Sequence, residues 1–456
     1  MPDEQVIDTR PWERLHELAQ AGDAQALGAF IESLPVAETV RAVSRLDADE
    51  RTRIMGMLPA GQAAAVVGAS PEAQAREIIG RLTARQAASI LQELPSDQVV
   101  DIIAGVNDDA VQAILKEMRP DEAADARHLA RYEPDEAGGL MVTEYLSYPE
   151  SYTAADVLDD MRDNAERYAD FDVQYAYCVS SFGDLVGVLR LRDLVLMPRA
   201  RRLTDFMIRE PFSVDAHATL DDLQKMFAER SYLGVPVVDD SGRLVGVVKR
   251  SDVEAALSKR AGSDFLKSRG IVMGEELRTM PVRVRSSRRL AWLSLNIILN
   301  LFAASAIAIF QGTLEQVIAL AVFLPIISDM SGCAGNQAVA VSMRELELGM
   351  IKPRELAHVF WKEMQVGVIN GVVLGLMVGT IALLWKGSAW LGLVAGGALA
   401  INTVIAVGVG GLLPLILKLL KKDPALAAGP ILTTVTDMCG FFLALGFATL
   451  LLSRLT

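Results

Sequence analysis

Several things are scarce in this chain, and each scarcity excludes something. There are three cysteines in 456 residues, Cys178, Cys333 and Cys439. They are too few and too scattered for a disulfide framework, so they read as reduced and packed. The four histidines include a lone His128 with no second ligand at metal spacing, which reads as structural. No Walker A sequence supplies nucleotide hydrolysis. No nucleophile–base pair or ligand cluster lies in or near the apolar segments, so the chain does not read as an enzyme. The opening MPDEQVIDTRPW is acidic and lacks the apolar core of a secretory leader. Positive charge is also short, with 44 Lys+Arg against 57 Asp+Glu and a net charge of −13. Beyond Ala291 the carboxylates are Glu315, Asp329, Glu345, Glu347, Glu355, Glu363, Asp423 and Asp437 alone, so the acidity belongs to the first 290 residues. That field argues against a nucleic-acid partner and leaves room for metal cations.

What is abundant is apolar: 51% of residues are hydrophobic, and 22% are charged. Such a mixture suggests two halves of different character.

From about residue 30 to 130 a repeat of 12 residues is marked by Leu34-Pro35, Leu46-Asp47, Leu58-Pro59, Ser70-Pro71, Leu82-Thr83, Leu94-Pro95, Val106-Asn107 and Met118-Arg119-Pro120. Each interval holds a short apolar-periodic run. Proline is tolerated in a first helical turn, and Ser, Asp or Thr caps. Short helices at a fixed period stack into a superhelix whose use is contact rather than chemistry. A plain helical bundle is the alternative.

A second duplication follows. Gly183-Asp-Leu-Val-Gly-Val-Leu-Arg-Leu-Arg-Asp193 recurs as Gly242-Arg-Leu-Val-Gly-Val-Val-Lys-Arg-Ser-Asp252. Each copy follows a helix-like run and a β-rich run, and its glycine predicts a hairpin. The order helix–strand–strand–helix, twice over, resembles a tandem pair of CBS domains. Such pairs bind nucleotides or ions and are not catalytic.

The last third reads as five membrane spans: Leu290–Phe310, Val317–Met343, Val366–Trp385, Ser388–Leu417 and Ala425–Ser453. Arg283, Arg285, Arg288 and Arg289 precede the first. Arg344, Lys352 and Arg354 lie between the second and third, and Lys418, Lys421 and Lys422 between the fourth and fifth. The remaining loops are nearly bare of positive charge. This predicts a cytosolic N-terminus and a C-terminus outside.

Two carboxylates fall within spans, Asp329 and Asp437, and no Lys or Arg lies mid-span to pair with them. A charge at the helix centre costs roughly 2.5–3.5 kcal/mol even on the lenient insertion scale, so each implies a cavity or a partner. Around Asp329 the sequence reads Leu324-Pro325-Ile-Ile-Ser328-Asp329-Met-Ser331-Gly332-Cys333-Ala-Gly335-Asn336-Gln337. The proline and glycines predict a helix that breaks or bends, with freed carbonyls. Asp437 follows Thr433, Thr434 and Thr436. Linings of oxygen suit a hard cation such as hydrated Mg²⁺, and a second chain would double them.

Together, the helical array, the tandem CBS pair, a basic connecting helix and five spans resemble the MgtE magnesium channels along nearly the whole chain. The matching motifs are Tyr132-Glu-Pro-Asp-Glu-Ala-Gly-Gly-Leu-Met141, Gly-x-Ala-Gly-Asn-Gln at 332–337, and Asp423-Pro-Ala…Gly429-Pro430…Thr-x-x-Asp437. The expected fold is mainly α and multidomain. An N-terminal helical superhelix (1–135) precedes α/β CBS domains (136–200 and 201–260). A connecting or plug helix (261–289) then leads into a five-span transmembrane domain (290–456).

The resemblance implies a homodimeric Mg²⁺ channel in the lipid of the plasma (inner) membrane. It implies passive divalent-cation uptake, Mg²⁺ held by Asp437, closure by Mg²⁺ on the cytosolic domains, and an ATP site in the CBS pair. Thr433, Asp329, Gly332 and Asn336 join Asp437 as pore candidates. Asp97, Asp101, Asp221, Asp252, Asp264 and Asp423 are candidates for regulatory metal. The rivals are the same fold carrying Co²⁺, Mn²⁺ or Fe²⁺, and a non-conducting CBS sensor in the membrane.

Two departures from the family stand out. Asp329 and Cys333 replace a glycine and an asparagine beside the pore, and the added acid is expected to alter selectivity or add a cation site. Thr219, Ser231, Arg260 and Ser263 sit where sensor acids are expected, which predicts a weaker Mg²⁺ switch.

Overall fold

A computed structural model describes residues 10–169, 171, 174–271 and 276–456. The chain divides into two compact units, Met1–Arg260 and Ala261–Thr456.

In the first unit, helices begin every 12 residues at Val36, Ala48, Ala60, Glu72, Ala84, Ser96, Asp108 and Pro120. The punctuation explains the period. Pro35, Pro59, Pro71 and Pro95 sit just before their helices with φ of −56°, −55°, −51° and −56°, values the pyrrolidine ring sets in advance. Only Pro120 among the repeat prolines lies inside a first turn. At three other boundaries Asp47, Thr83 and Asn107 cap with their side chains. Helices of eight to ten residues are marginal alone. Here they stack their apolar faces into one continuous core running from Leu15 to Ala126, each helix packing mainly on the next but one. The result is a stacked array.

Two α/β lobes follow. In the first, strands Leu146–Pro149, Tyr175–Val179, Leu185–Arg190 and Ile208–Arg209 form a sheet in chain order. The first pair is parallel and the others antiparallel. In the second, Val214–Asp215, Gly234–Val238 and Leu244–Lys249 repeat the pattern. The hairpin turns carry Gly183 and Gly242 at φ of +88° and +83°, left-handed backbone that glycine adopts without penalty. The turns bond to each other, Leu185 N to Gly242 O at 3.2 Å and Leu244 N to Gly183 O at 3.2 Å, so the lobes meet hairpin to hairpin.

The Tyr132–Met141 motif, expected to enter the first CBS domain, is built into the second. Ala137 N and Gly138 N donate to the carbonyls of Ala218 and Ala216, and Val142 pairs with Val247. Ala137 and Met141 are buried in the second lobe's core beside Leu220, Val237 and Val248. A Cβ at Gly138 would collide with the Tyr132 ring, and one at Gly139 with the Glu133 carbonyl. The paired glycines are therefore steric requirements of this short turn. Val100 and Leu129 of the array enter the same core, which seats the array on the second lobe.

The second unit holds five helices long and apolar enough to cross a membrane: Val282–Ile309, Ile318–Glu347, Leu356–Lys386, Ala389–Leu419 and Pro424–Leu450. The chain is a multi-pass membrane protein. The fourth helix is its centre, with 61% of its apolar window buried against 11% for the first. Lipid supplies no hydrophobic drive between helices, so close van der Waals approach must hold them. The third and fourth spans achieve it with small residues. A Cβ on Gly375 would lie 2.6 Å from the Gly396 carbonyl oxygen, and one on Gly371 2.6 Å from that of Ala400.

Three expectations need correction. The 261–289 segment is not one connecting helix. Helix Arg250–Ser268 ends at Gly270, where φ is +82°, and the first span already begins at Val282 after Pro281; residues 272–275 lie outside the described part. The second span is not broken at Pro325, Gly332 and Gly335. Helix Leu324–Glu347 is continuous, because Pro325 sits in its first turn, where no N–H bond is lost. Its glycines serve packing, Gly335 lying against the Ala406 carbonyl and Leu432. The irregular backbone comes earlier, in the short 3₁₀ turn Ile318–Val322. Cys178 is buried as expected, whereas Cys333 is exposed on the protomer rather than packed.

Candidate functional site

The membrane site is built where the second and fifth spans cross. Asp437 is half-buried there, and Ser328 Oγ of the second span donates to its Oδ1. Asp329, the next residue along, is exposed on the protomer surface. Among the described residues neither carboxylate makes an ion pair. The fifth span carries Pro430 within its helix. Beside it the hydroxyls of Thr433 and Thr434 donate to the carbonyls of Gly429 (3.0 Å) and Pro430 (2.8 Å), while Thr436 donates to Thr433 O at 3.0 Å. Their protons satisfied by their own helix, Thr433 and Thr434 keep lone pairs for a cation or its water shell, whereas Thr436 is fully buried.

Gly332 is buried at the crossing, where a Cβ would stand 3.6 Å from Thr436 Oγ1. Asn336 lies one turn further along on the exposed surface with Thr433. The structure thus joins Asp437 to Ser328 and Thr436 to Gly332, while Asp329, Asn336 and Thr433 face out from the single chain.

Ser328 and Asn402 were not singled out from the sequence. Asn402 lies in the fourth span, fully buried, with Nδ2 donating to Ser331 Oγ and, at 3.0 Å, to the Thr436 carbonyl. A lone amide in a long uncharged run was the signal available for it.

The acids outside the spans divide by their partners. Lys259 bridges two acids of the array, Glu72 at 2.6 Å and Asp101 at 3.0 Å. Arg260 takes Asp221 at 2.8 Å. In the second unit, Lys267 takes Asp264 at 3.3 Å and Asp423 at 2.9 Å, while Asp423 caps the fifth span through Ala425 N. These pairs already carry a cation of the chain's own.

Asp97 differs. It lies on the array helix that docks on the second lobe, where Glu144 accepts from Ser96 N and Oγ at 3.2 and 2.9 Å. Its Oδ1 is buried without a hydrogen-bond partner. Burial, followed by the charge of Asp252, pushes its carboxyl from 3.8 up to about 6. Asp97 and Asp101 share one helix, but Asp101 is ion-paired to Lys259, whereas Lys249 acts on Asp97 only as a nearby charge that offsets part of the rise. Among the described residues no group of three or more His, Cys, Asp or Glu is placed to hold a metal ion.

A cleft of about 290 Å³ in the CBS pair is lined by Tyr145, Tyr175, Tyr177, Lys249, Arg250 and Glu254. The Arg250 guanidinium is committed to the backbone carbonyls of Phe227, Arg230 and Tyr232. Tyrosine faces and Lys249 remain for a nucleotide.

Comparison with known proteins places these features in a family. A family model described as a divalent cation transporter, MgtE, matches residues 324–447. The MgtE intracellular N domain matches 34–135, and a CBS domain matches 203–259. The magnesium transporter MgtE of Thermus thermophilus is 34% identical over 338 residues, covering 74% of each chain. That of Bacillus subtilis is 31% identical over 337 residues, again covering 74% of each. A solved cytosolic domain of the Mg²⁺ channel MgtE in complex with ATP is similar at 31% identity and a TM-score of 0.49, covering 54% of this chain and 99% of that one.

Proposed function

Since the chain belongs to the MgtE family of magnesium transporters, we propose that it forms a homodimeric channel for hydrated Mg²⁺ with Asp437 of each subunit at the ion's station. The observation that carries this reading is a half-buried carboxylate at membrane depth, fixed by Ser328 and given no basic neighbour. Exposure supports the dimer. Asp329, Asn336 and Thr433 lie on the protomer surface at membrane depth, where facing hydrocarbon would be costly. A second copy set against that face encloses them in a shared aqueous path. Mg²⁺ sheds water reluctantly, so a ring of carboxylate, hydroxyl and carbonyl oxygens reads the hydrated ion rather than stripping it.

Uptake is passive. Two charges crossing 100 mV release about 4.6 kcal/mol, at ~2.3 kcal/mol per charge. The N-terminus is cytosolic and the C-terminus outside, in keeping with the arginines and lysines at alternate loops.

Regulation follows from the partnering of the acids. Asp97, whose buried Oδ1 has no hydrogen-bond partner, is the acid that a cytosolic Mg²⁺ neutralises, with the charge of Asp252 nearby. Asp101, Asp221, Asp264 and Asp423 are held by Lys259, Arg260 and Lys267 whether or not metal is present. Gating by Mg²⁺ is therefore shallower than in a sensor of acids alone. ATP, with tyrosines for its base and Lys249 for its phosphates, is the ligand assigned to the CBS cleft.

The deciding experiment reconstitutes the full chain in liposomes and measures uptake of Mg²⁺, Ca²⁺ and Co²⁺. Asp437→Ala is expected to abolish Mg²⁺ uptake at unchanged insertion; uptake equal to wild type would refute the reading. Asp329→Gly is expected to change the preference among the ions, and an unaltered preference removes Asp329 from the pore.

A further inference from the structure

We infer that Asn402, a fully buried residue of the fourth span, is the positioning residue that sets the ion preference of the Asp437 station. The inference rests on the reading of Asp437 as that station.

One amide nitrogen ties three helices together at one level. Asn402 Nδ2 donates to the Thr436 carbonyl, in the peptide directly before Asp437. It also donates to Ser331 Oγ, whose single hydroxyl hydrogen is shared between Ile327 O (2.5 Å) and Ser328 O (3.1 Å). Ser328 is the residue whose hydroxyl holds Asp437 Oδ1. Asn402 thus holds both the backbone that carries the carboxylate and, through Ser331, the turn that carries the carboxylate's partner. The second and fifth spans are set in register to one another through the fourth.

The surroundings are shaped for that amide. Gly440, one turn beyond Thr436, has no Cβ, and one added there would stand 2.8 Å from Asn402 Nδ2. Asn402 and Ser331 are both fully buried. Packing alone does not account for the residue. Asn402 Oδ1 is buried without a hydrogen-bond partner, and an unmet buried acceptor is expensive. A small apolar side chain would fill the same space without that cost. What the amide alone supplies is two directed donors at fixed separation, the requirement of a positioning role.

The consequence concerns discrimination rather than conduction. A hydrated Mg²⁺ is read by the distance between opposed oxygens, so loosening the register blurs the difference between Mg²⁺ and the larger Ca²⁺.

The test compares Mg²⁺ and Ca²⁺ uptake through the same reconstituted full-length protein for wild type, Asn402→Ala, Ser331→Ala, the double variant and Asp437→Ala. The Mg²⁺/Ca²⁺ ratio is expected to fall roughly threefold for each interhelical bond lost, from the average strength of such bonds. The double variant should be no worse than Asn402→Ala, because Ser331 acts through the same chain of bonds. A merely structural role would lower the melting temperature or the amount inserted and leave the ratio alone. If Asn402→Ala fails to insert, Ser331→Ala, which leaves the amide's bond to Thr436 in place, carries the expectation of a lowered ratio. An unchanged ratio in a conducting variant, with Asp437→Ala inactive, overturns the inference and leaves the proposed function standing. Asp437→Ala conducting like wild type overturns the function itself.

Discussion

Removing one negative charge from the first unit should tighten it. Asp97 sits in the seam between the array and the second CBS lobe, and burial with the Asp252 charge raises its carboxyl from 3.8 to about 6. At ~1.4 kcal/mol per pH unit, this rise corresponds to at most about 3 kcal/mol spent on keeping the group ionised at pH 7.5. The sign follows by linkage. A folded-state value above the unfolded one gives stability that is complete below 3.8 and lost as pH rises through about 6.

In chelator at pH 7.5, Asp97→Asn should therefore hold the seam closed more firmly than wild type. Wild type should approach the variant when the pH is lowered to 5. Mg²⁺ should give wild type the same protection at pH 7.5, lose its effect below pH 6 through competition with protons, and do little to the variant. The seam's own opening is the quantity to follow, since one unfolding free energy is not defined for a multidomain membrane protein. Amide hydrogen exchange over Ser96–Ile103 and Arg250–Val253 in the detergent-solubilised full chain reports it. If wild-type protection is the same at pH 5 and 7.5, or if Asp97→Asn opens more readily in chelator, the electrostatic account of this seam fails.

Lys259→Glu converts the Glu72–Lys259–Asp101 bridge into three clustered acids. Limited proteolysis in chelator should show a looser array, and protection should become far more dependent on Mg²⁺ than in wild type; equal sensitivity would show the lysine to be incidental. Gly375→Leu places side-chain atoms where the Gly396 carbonyl now sits. It should prevent the third and fourth spans from closing, with loss of monodisperse protein in size-exclusion chromatography, whereas Leu376→Ala, on the exposed surface, should not.

How much was readable from the sequence depended on whether a signal was local. The array was legible because proline and capping residues recur at the helix starts themselves. The spans were legible from their uncharged runs, and Asp437 from being an acid inside one. The Gly183 and Gly242 hairpins announced themselves through repetition. What failed was pairing across distance. Nothing near Ala137 says that its N–H donates to Ala218. Arg260 was legible as a base where an acid is expected, but its reach to Asp221, like that of Lys259 to Glu72 and Asp101, needed coordinates. Pro325 and Gly335 were misread because one residue type serves two ends: proline begins a helix as readily as it breaks one, and glycine admits a neighbouring backbone as readily as it bends its own. The four-residue spacing of Gly367, Gly371, Gly375 and Gly379 was available as a packing signal.

The placement of Ala137–Val142 in the second lobe sets a timetable for the growing chain. Val142 pairs with Val247, so at a synthesis rate of ~5–20 residues per second the segment leaves the ribosome roughly 5–20 s before its partner strand. Throughout that interval Met141 and the array face around Val100 and Leu129 have nothing to pack against. The first lobe's sheet can form, but its leading edge and the array's docking face must wait. Nascent chains stalled between the two hairpins are then the species most exposed to chaperones and to self-association, and the first unit closes only once Leu244–Lys249 has emerged.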